Sequence, residues 1–352
     1  MQTNQTKLIR HFFIFVILTP FVLLWGEVFT RVLLPQNLDS IMNIYAPDLV
    51  IGYTYKPYAM SYETGREYNV PYYINSYGLR DREYTPKERG KYRILLLGDS
   101  FSVSHGLTIE NSLSRQFEKA LQNAADSDGL SIKIEVINAA VGGYSPYNYW
   151  KSYKRWAPIF DPDAVLVGLS PDDYDSSNAY YQYLIEDGET LATFIGSQNT
   201  QIIGSNYFRR VRKWLSWNSE FYILMRNYLY YNDIIGHLSL WFKSRGDVKQ
   251  NDQLQQFMIP QPKNITDAWK VSFSYLQKLR KDTTTDGIPL IIIAVPLKLE
   301  IDNEYASQIL EASGLTSQQI DFNQPLKTIL DFCKKEKVTI LNPRLAIQAR
   351  NV

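Results

Sequence analysis

The tripeptide Gly98-Asp99-Ser100 places a serine hydroxyl where a nucleophile could act, because it follows the apolar run at residues 93–97. A short continuous run of this kind is typical of a buried strand. A serine between a strand and a helix is presented above the carboxyl end of the strand, where ligands collect in parallel sheets. The helix N-terminus adds unpaired N–H groups that can stabilise an oxyanion. Asp or Ser is also a common N-cap, so this tripeptide leaves catalysis and capping both open.

Two further turns follow apolar runs and contain residues suited to the same edge of a sheet. The run at 134–137 leads to Gly142 and Gly143, where a glycine lets a bare backbone N–H approach a ligand. The run at 164–167 leads to a turn that ends in Asp172 and Asp173. Because the carboxyl ends of parallel strands meet at one edge, we expect Ser100, Gly143 and Asp172 to line one cleft.

These ordered segments resemble the SGNH hydrolase family, also called the GDSL esterases, and especially its membrane-anchored bacterial members related to the alginate O-acetylation proteins. The resemblance covers most of the chain. It consists of an N-terminal apolar segment followed by Glu27 and Arg31, the lead-in at 74–81, the segment 93–100, the Gly143 turn and the late run Ile293-Ala294-Val295-Pro296.

The resemblance implies that Ser100 attacks an acyl carbonyl and forms an acyl-enzyme. It assigns the oxyanion hole to the N–H groups of Ser100 and Gly143 and to the side chain at the position of Asp172, with Asp99 and Asp173 in supporting positions. The implied substrates are acyl groups of an extracytoplasmic glycan or another small ester. The reaction is hydrolysis or transfer, depending on whether water or a sugar hydroxyl takes the acyl group. No cofactor is implied, and one cysteine with three histidines provides no recognisable metal cluster.

The residue at position 172 departs from the family pattern, which has Asn beside a following Asp. An amide donates hydrogen bonds to an oxyanion, whereas an ionised carboxylate such as that of Asp172 only accepts them. Losing one such donor typically costs about 10²–10³ in kcat. This departure weakens the enzymatic interpretation.

The general base is the second departure, because the family's Asp-x-x-His block is expected after a strand such as 338–341. No histidine follows His237 in the 352 residues. His11 lies in the N-terminal apolar segment, His237 lies in an insertion, and His105 would be turned about 140° from Ser100 on one helix. Two interpretations stay open: the sequence stops before this block, or the chain is a catalytically inactive glycan-binding or scaffold module of an envelope polysaccharide system. In either case we expect the chain as given to have little or no esterase turnover.

The elements that must position these residues are five apolar runs at 93–97, 134–137, 164–167, 289–295 and 338–341. Mostly continuous runs are typical of strands covered on both faces, and stretches of helical length lie between them. They predict a flavodoxin-like three-layer α/β/α domain at 91–352 with a mostly parallel five-stranded sheet. An insertion at 180–265 contains a basic, aromatic and helical stretch at 207–243, which would cap the sheet, cover a substrate or lie on a membrane. Residues 35–90 are predicted to be an extension of short strands and loops.

The N-terminal segment at 1–34 contains an apolar stretch at 11–28 behind Lys7 and Arg10, within the ~17–25 residues that span a bilayer. Bulky residues follow it in place of a small-residue cleavage site, which favours an uncleaved signal anchor. Basic residues on the amino side stay in the cytoplasm, so we expect a single-pass inner-membrane protein whose main domain is extracytoplasmic or periplasmic.

The charge balance argues against one class of partner. Lys and Arg number 37 against 36 Asp and Glu, a net charge of +1, so the chain lacks the basic surplus of nucleic-acid-binding proteins. The 26 tyrosines suit carbohydrate-facing clefts and ordinary interfaces equally well. The oligomeric state does not follow from the sequence.

Overall fold

The computed structural model describes residues 2–36, 44–48, 50–64, 68–171, 173, 211, 214–216, 218–231, 252–316 and 318–350. Asp172, His237 and most of the predicted insertion lie outside these residues. The chain divides into two compact units. The anchor unit contains Met1–Asn43, Ser61–Asn69 and Asn199–Asp247, and the sheet unit contains Ile44–Met60, Val70–Gln198 and Val248–Val352.

The sheet unit is built on five parallel strands, β5 (Lys91–Leu97), β6 (Lys133–Asn138), β7 (Ala164–Leu169), β8 (Leu290–Ala294) and β9 (Thr339–Leu341). Their spatial order is β6-β5-β7-β8-β9. This is the flavodoxin-like order, in which the chain changes direction across the sheet between β5 and β7. The predicted fold class and all five predicted strands are confirmed.

Helices lie between consecutive strands of the sheet, as a doubly wound fold requires. The longer ones are α3 (Leu113–Ser127), α4 (Pro146–Phe160), α6 (Lys263–Thr285) and α9 (Gln324–Glu336). The shorter ones are α2 (Ser100–Val103), α7 (Lys298–Ile301), α8 (Asn303–Ser313) and α10 (Arg344–Gln348), with 3₁₀ turns at Ile109–Asn111 and Asp252–Phe257. Phe117 and Leu121 of α3 pack on an apolar cluster that includes Ile94 and Val136. Apolar residues therefore cover the sheet where the continuous runs predicted burial.

Strands β5 and β6 are joined by buried charged side chains. Arg93 of β5 pairs in register with Glu135 of β6, and its Nε donates to the Glu135 carboxylate at 2.7 Å. The guanidinium also donates to the carbonyl of Phe160 at 3.1 Å. Burial alone would raise the pKa of Glu135, but Arg93 and Lys91 outweigh burial and lower it. The charged residues in these two apolar runs are therefore partners across the first strand pair.

The chain before the sheet forms four short strands, β1 (Tyr45–Asp48), β2 (Gly52–Tyr55), β3 (Met60–Thr64) and β4 (Asn69–Tyr73). Strands β1 and β2 are antiparallel, with Tyr45 opposite Tyr55. Asp48 holds the turn between them, because its Oδ1 accepts from the backbone N–H groups of Val50 and Ile51, each at 2.9 Å. Residues 44–60 and 70–90 thus belong to the same compact unit as the sheet.

In the anchor unit, α1 (Gln2–Leu33) packs against α5 (Glu220–Tyr231). The Glu27 carboxylate of α1 accepts from the backbone N–H groups of Glu220 and Phe221 and from the Ser219 hydroxyl, so it caps the first turn of α5. The predicted helical character of the stretch at 207–243 is confirmed over α5.

Among the described residues, one helix is long and apolar enough to span a membrane, over Val16–Leu33 of α1. Most of its large apolar side chains are exposed, including Trp25 and Val32. The orientation and the identity of the membrane stay predictions.

Candidate active site

The turn after β5 places Ser100 as the first residue of α2. Asp99 is the N-cap of this helix, since its Oδ1 accepts from the backbone N–H of Phe101 at 3.0 Å. The sequence alone left open whether Asp99 or Ser100 caps the helix. The structure shows that the cap is Asp99. Ser100 is partly exposed, and its hydroxyl has no hydrogen-bond partner among the residues that the structure describes.

Close packing fixes the path of this turn. A Cβ on Gly98 would lie 2.0 Å from the Ser102 Oγ, and one on Gly168 at the end of β7 would lie 2.2 Å from the same atom. Position 98 therefore requires glycine, because the Ser102 Cβ is also within 2.5 Å, whereas at position 168 the Ser102 hydroxyl would have to rotate away. The Ser102 hydroxyl is buried and has no partner among the described residues. Ser102 of α2 is therefore packed closely against Gly168 at the end of β7.

Arg80 of the lead-in segment holds the other end of α2. Its guanidinium is buried and donates to the carbonyls of Val103 at 2.7 Å and Ser104 at 3.2 Å, and also to that of Leu107. It lies 4.1 Å from the centroid of the Tyr72 ring. A positive charge at a helix C-terminus is favourable because the carbonyl dipoles point towards it. Arg80 thus stabilises the helix that begins with Ser100.

Two tyrosines of β2 hold the glycine turn after β6. The Tyr53 hydroxyl donates to the Gly142 carbonyl at 2.9 Å, and the Tyr55 hydroxyl accepts from the Gly142 N–H at 3.3 Å. Gly143 is exposed and has a φ of +80°, a conformation that favours glycine. Tyr55 also bonds the Tyr72 hydroxyl at 2.8 Å, and burial raises the pKa values of both phenols. The Tyr55 and Tyr72 phenols therefore stay protonated at ordinary pH.

The turns after β5 and β6 are joined directly. The Val141 N–H donates to the Gly98 carbonyl at 3.3 Å, which brings the glycine turn beside the start of α2. The backbone N–H groups of Ser100 and Gly143 have no partner among the described residues. As far as the described residues go, two donors and one hydroxyl without partners thus lie on adjoining turns at the carboxyl edge of the sheet. This arrangement suits a developing oxyanion.

The turn after β7 is held by Asp173, which is buried. Its carboxylate accepts from the Ser170 N–H at 2.8 Å and the Tyr149 hydroxyl at 2.9 Å. The Ser170 hydroxyl donates to Asp99 at 3.3 Å, which connects the first and third turns. Asp172, the predicted third member of the oxyanion hole, lies outside the described residues, so its assignment stays a prediction.

His105 does not lie on the nucleophile helix. Helix α2 ends at Val103 and Ser104 is left-handed, with a φ of 65°, so the rotation expected for one continuous helix does not apply. The imidazole stacks on Tyr72 with ring centroids 6.0 Å apart. Its Nε2 would lie 2.9 Å from a Cβ on Gly142. The His105 and Ser100 side chains form no hydrogen bond in the described structure, and His11 lies in α1 of the anchor unit.

Over the ranges that the structure describes, no group of three or more His, Cys, Asp or Glu side chains is placed to hold a metal ion.

No protein-family model and no curated protein sequence matches the chain. Among solved structures, it is similar to AlinE4, described as a SGNH-hydrolase family esterase, at 11% identity, with 72% of this chain and 77% of that chain covered and a TM-score of 0.34. It is also similar to the acetyl xylan esterase AlAXEase at 12% identity, covering 74% and 81%, with a TM-score of 0.34.

A third similar structure is a GDSL-like lipase from Bacteroides thetaiotaomicron, at 8% identity, covering 74% of this chain and 72% of that chain, with a TM-score of 0.29. Of these three proteins, AlinE4 is described by the SGNH name and the Bacteroides protein by the GDSL name. The fold class rests on the strand order and register described above.

Sequence reasoning missed the residues that support the site from outside its three turns. Tyr53 and Tyr55 alternate along β2 beside Gly52, a pattern that predicts a strand but does not indicate what its side chains contact. Arg80 belongs to a segment that the resemblance singled out, but its hydrogen bonds to α2 are visible only in the fold. Tertiary hydrogen bonds of this kind leave no local signal in the sequence.

Proposed function

We propose that the sheet unit is a serine esterase or O-acyltransferase that forms an acyl intermediate on Ser100. The observation that carries the proposal is that the Ser100 hydroxyl and the N–H groups of Ser100 and Gly143 lie on adjoining turns without partners among the described residues. The Ser100 Oγ would bond the carbonyl carbon of an ester while the two N–H groups stabilise the negative oxygen. The alcohol oxygen then leaves with the bonding electron pair, and the serine proton passes to solvent.

The rate of this step depends on a base that accepts the serine proton. In the described part of the chain, no side chain hydrogen-bonds the Ser100 hydroxyl, and the His105 imidazole lies near Gly142 instead. In enzymes with a Ser-His-Asp triad, removal of one triad member leaves a rate enhancement of about 10³–10⁴ over water, which comes from the oxyanion hole and from substrate binding. We therefore expect these 352 residues to acylate slowly and to deacylate slowly as well, since both steps need the base.

The substrate class that we propose is an O-acyl group of an extracytoplasmic glycan. Support comes from the sequence resemblance to the alginate O-acetylation proteins and from the apolar helix at the N-terminus, which would hold the sheet unit at a membrane. A reporter fused after Val352 would be active only outside the cytoplasm. Activity only in the cytoplasm would refute this orientation.

A second candidate function, a catalytically inactive glycan-binding or scaffold module, is favoured by two observations. A carboxylic acid stands at position 172 where the family pattern has an amide, and no described side chain hydrogen-bonds the Ser100 hydroxyl. Such a module would keep the cleft and bind the glycan without forming a covalent bond.

Release of p-nitrophenolate from p-nitrophenyl acetate by the full chain in detergent separates the two. The esterase proposal predicts a slow burst of at most one equivalent per chain, which Ser100→Ala abolishes. p-Nitrophenolate is a good leaving group and needs no proton from a catalytic acid, so the burst reports acylation alone. A wild-type trace that matches Ser100→Ala would refute the acyl intermediate and favour the binding module. Sustained turnover well above Ser100→Ala would show that a side chain of this chain supplies the base.

A further inference from the structure

We propose that the Tyr53 hydroxyl is a positioning group that aims the Gly143 N–H at the reacting carbonyl oxygen. The proposal rests on the proposed function, because it deepens the role of the same glycine turn. It assigns a specific task to the extension before the sheet, which carries Tyr53 on β2.

The geometry of one peptide unit carries the inference. The carbonyl of Gly142 and the N–H of Gly143 belong to the same planar amide, and in a trans amide they point in opposite directions. Tyr53 is fully buried and donates to this carbonyl at 2.9 Å. The N–H at the other end of the amide therefore points away from Tyr53. It belongs to an exposed residue and has no partner among the described residues.

An outside restraint is needed because glycine occupies both sides of this amide. Glycine adopts positive and negative φ with similar ease, so a Gly142-Gly143 pair can rotate the amide between them at little steric cost. Rotation would turn the N–H away and leave the buried carbonyl without its donor. The Tyr53 hydroxyl opposes that rotation. Donation to the carbonyl also polarises the amide, which strengthens its N–H as a donor.

Tyr53 is itself held rigidly. The Tyr144 hydroxyl donates to the Tyr53 carbonyl at 2.6 Å, and the two rings meet edge to face with centroids 5.2 Å apart. A Cβ on Gly143 would lie 2.8 Å from the Tyr53 Oη, so the hydroxyl also sets the closest approach of the turn. The Tyr53 phenol therefore bonds the carbonyl of this amide and lies close to Gly143 on its other side.

Tyr55 provides an internal comparison on the same glycine. It accepts from the Gly142 N–H, which belongs to the amide before the one that contains the Gly143 N–H. Tyr153 provides a distant comparison, since its hydroxyl, on α4, donates to Asp286 at the C-terminal end of α6. Removing each hydroxyl by Tyr→Phe keeps the ring and changes one atom.

The test combines a spectrum and a rate on the full chain. With ¹⁵N-glycine labelling, Tyr53→Phe should move the Gly143 amide resonance, whereas Tyr153→Phe should leave it in place and Tyr55→Phe should move chiefly that of Gly142. In the p-nitrophenyl acetate burst, Tyr53→Phe should lower the acylation rate constant by about 10- to 100-fold. Complete removal of one oxyanion donor typically lowers kcat by about 10²–10³, and Tyr53→Phe only misdirects the donor. The ester concentration at half-saturation should stay unchanged, because orientation of the donor affects the transition state.

Two results would overturn the proposal: a Gly143 resonance in Tyr53→Phe that coincides with wild type, or an acylation rate constant equal to that of Tyr153→Phe. If the wild-type chain shows no burst, the proposed function fails, while the Gly143 resonance still decides whether Tyr53 orients the amide. If Tyr53→Phe does not fold, Tyr144→Phe replaces it, because this variant releases the Tyr53 carbonyl and keeps the Tyr53 hydroxyl. It should slow acylation in the same direction by a smaller factor, and an unchanged rate would overturn the inference.

Discussion

Arg80 should contribute more to the stability of the sheet unit than its exposed neighbour Arg82, and Arg80→Met tests this. Methionine keeps much of the volume and removes every donor. The carbonyls of Val103, Ser104 and Leu107 would then lose the hydrogen bonds from the guanidinium. The Ser104 carbonyl would still accept from the Leu107 N–H. Hydrogen bonds from a charged group contribute about 1.5–3 kcal/mol each. The cost of burying the charge offsets part of this, and we expect a net loss of roughly 3 kcal/mol.

Arg82→Met is the matched control. Arg82 is exposed and pairs with Glu118 through two bonds of 2.8 Å, so its loss should cost at most about 1 kcal/mol. The free energy of unfolding is measured by urea titration, and hydrogen exchange of residues 100–107 reports local opening of α2. Arg80→Met should speed that exchange and slow the acylation of Ser100. Equal losses of stability for the two variants would refute the role assigned to Arg80.

Three further outcomes are expected. Ser102→Ala should leave stability unchanged or raise it by about 1 kcal/mol in urea titration, because it removes a buried hydroxyl without a described partner; a loss above that size would contradict this. Burial would raise the pKa of Asp48, but the N–H groups of Ile51 and Val50 together with Arg155 outweigh it and lower the pKa below 3.8. The stability that Asp48 contributes is therefore fully present above pH 3.8 and is lost as the pH falls through the lowered pKa. Asp48→Asn should make the free energy of unfolding less dependent on pH below 3.8. An unchanged pH dependence in that range would contradict the prediction. Burial raises the pKa of the Cys333 thiol to about 11, so iodoacetamide at pH 8 should label the folded chain far more slowly than the urea-unfolded chain, and equal rates would contradict the buried position.

The fold was predictable because its signal is local and repeated. Continuous apolar runs such as 164–167 indicate strands covered on both faces, and all six residues of β7 are buried. The edge at which the turns meet also follows from parallel strands, since Ser100 and Gly143 each come after a strand. Even Glu135, an interruption in its run, fits once the register pairs it with Arg93.

The support of the site was not predictable because it depends on contacts between distant parts of the chain. Tyr53 lies 89 residues before its partner Gly142, and Arg80 lies 23 residues before Val103. The tripeptide did not show which residue caps α2, and the structure assigns that task to Asp99. The expected rotation of His105 failed for a local reason, because a left-handed Ser104 ends the helix.

The most direct test of the account is the position of the acetyl group after the full chain reacts with p-nitrophenyl acetate. Peptide mapping by mass spectrometry is required, because exposed lysines also react slowly with this ester. The account predicts an acetyl group on Ser100 that builds up over time, persists after the ester is removed, and forms more slowly in Gly143→Ala. Acetylation of surface lysines without acetylation of Ser100 would contradict it.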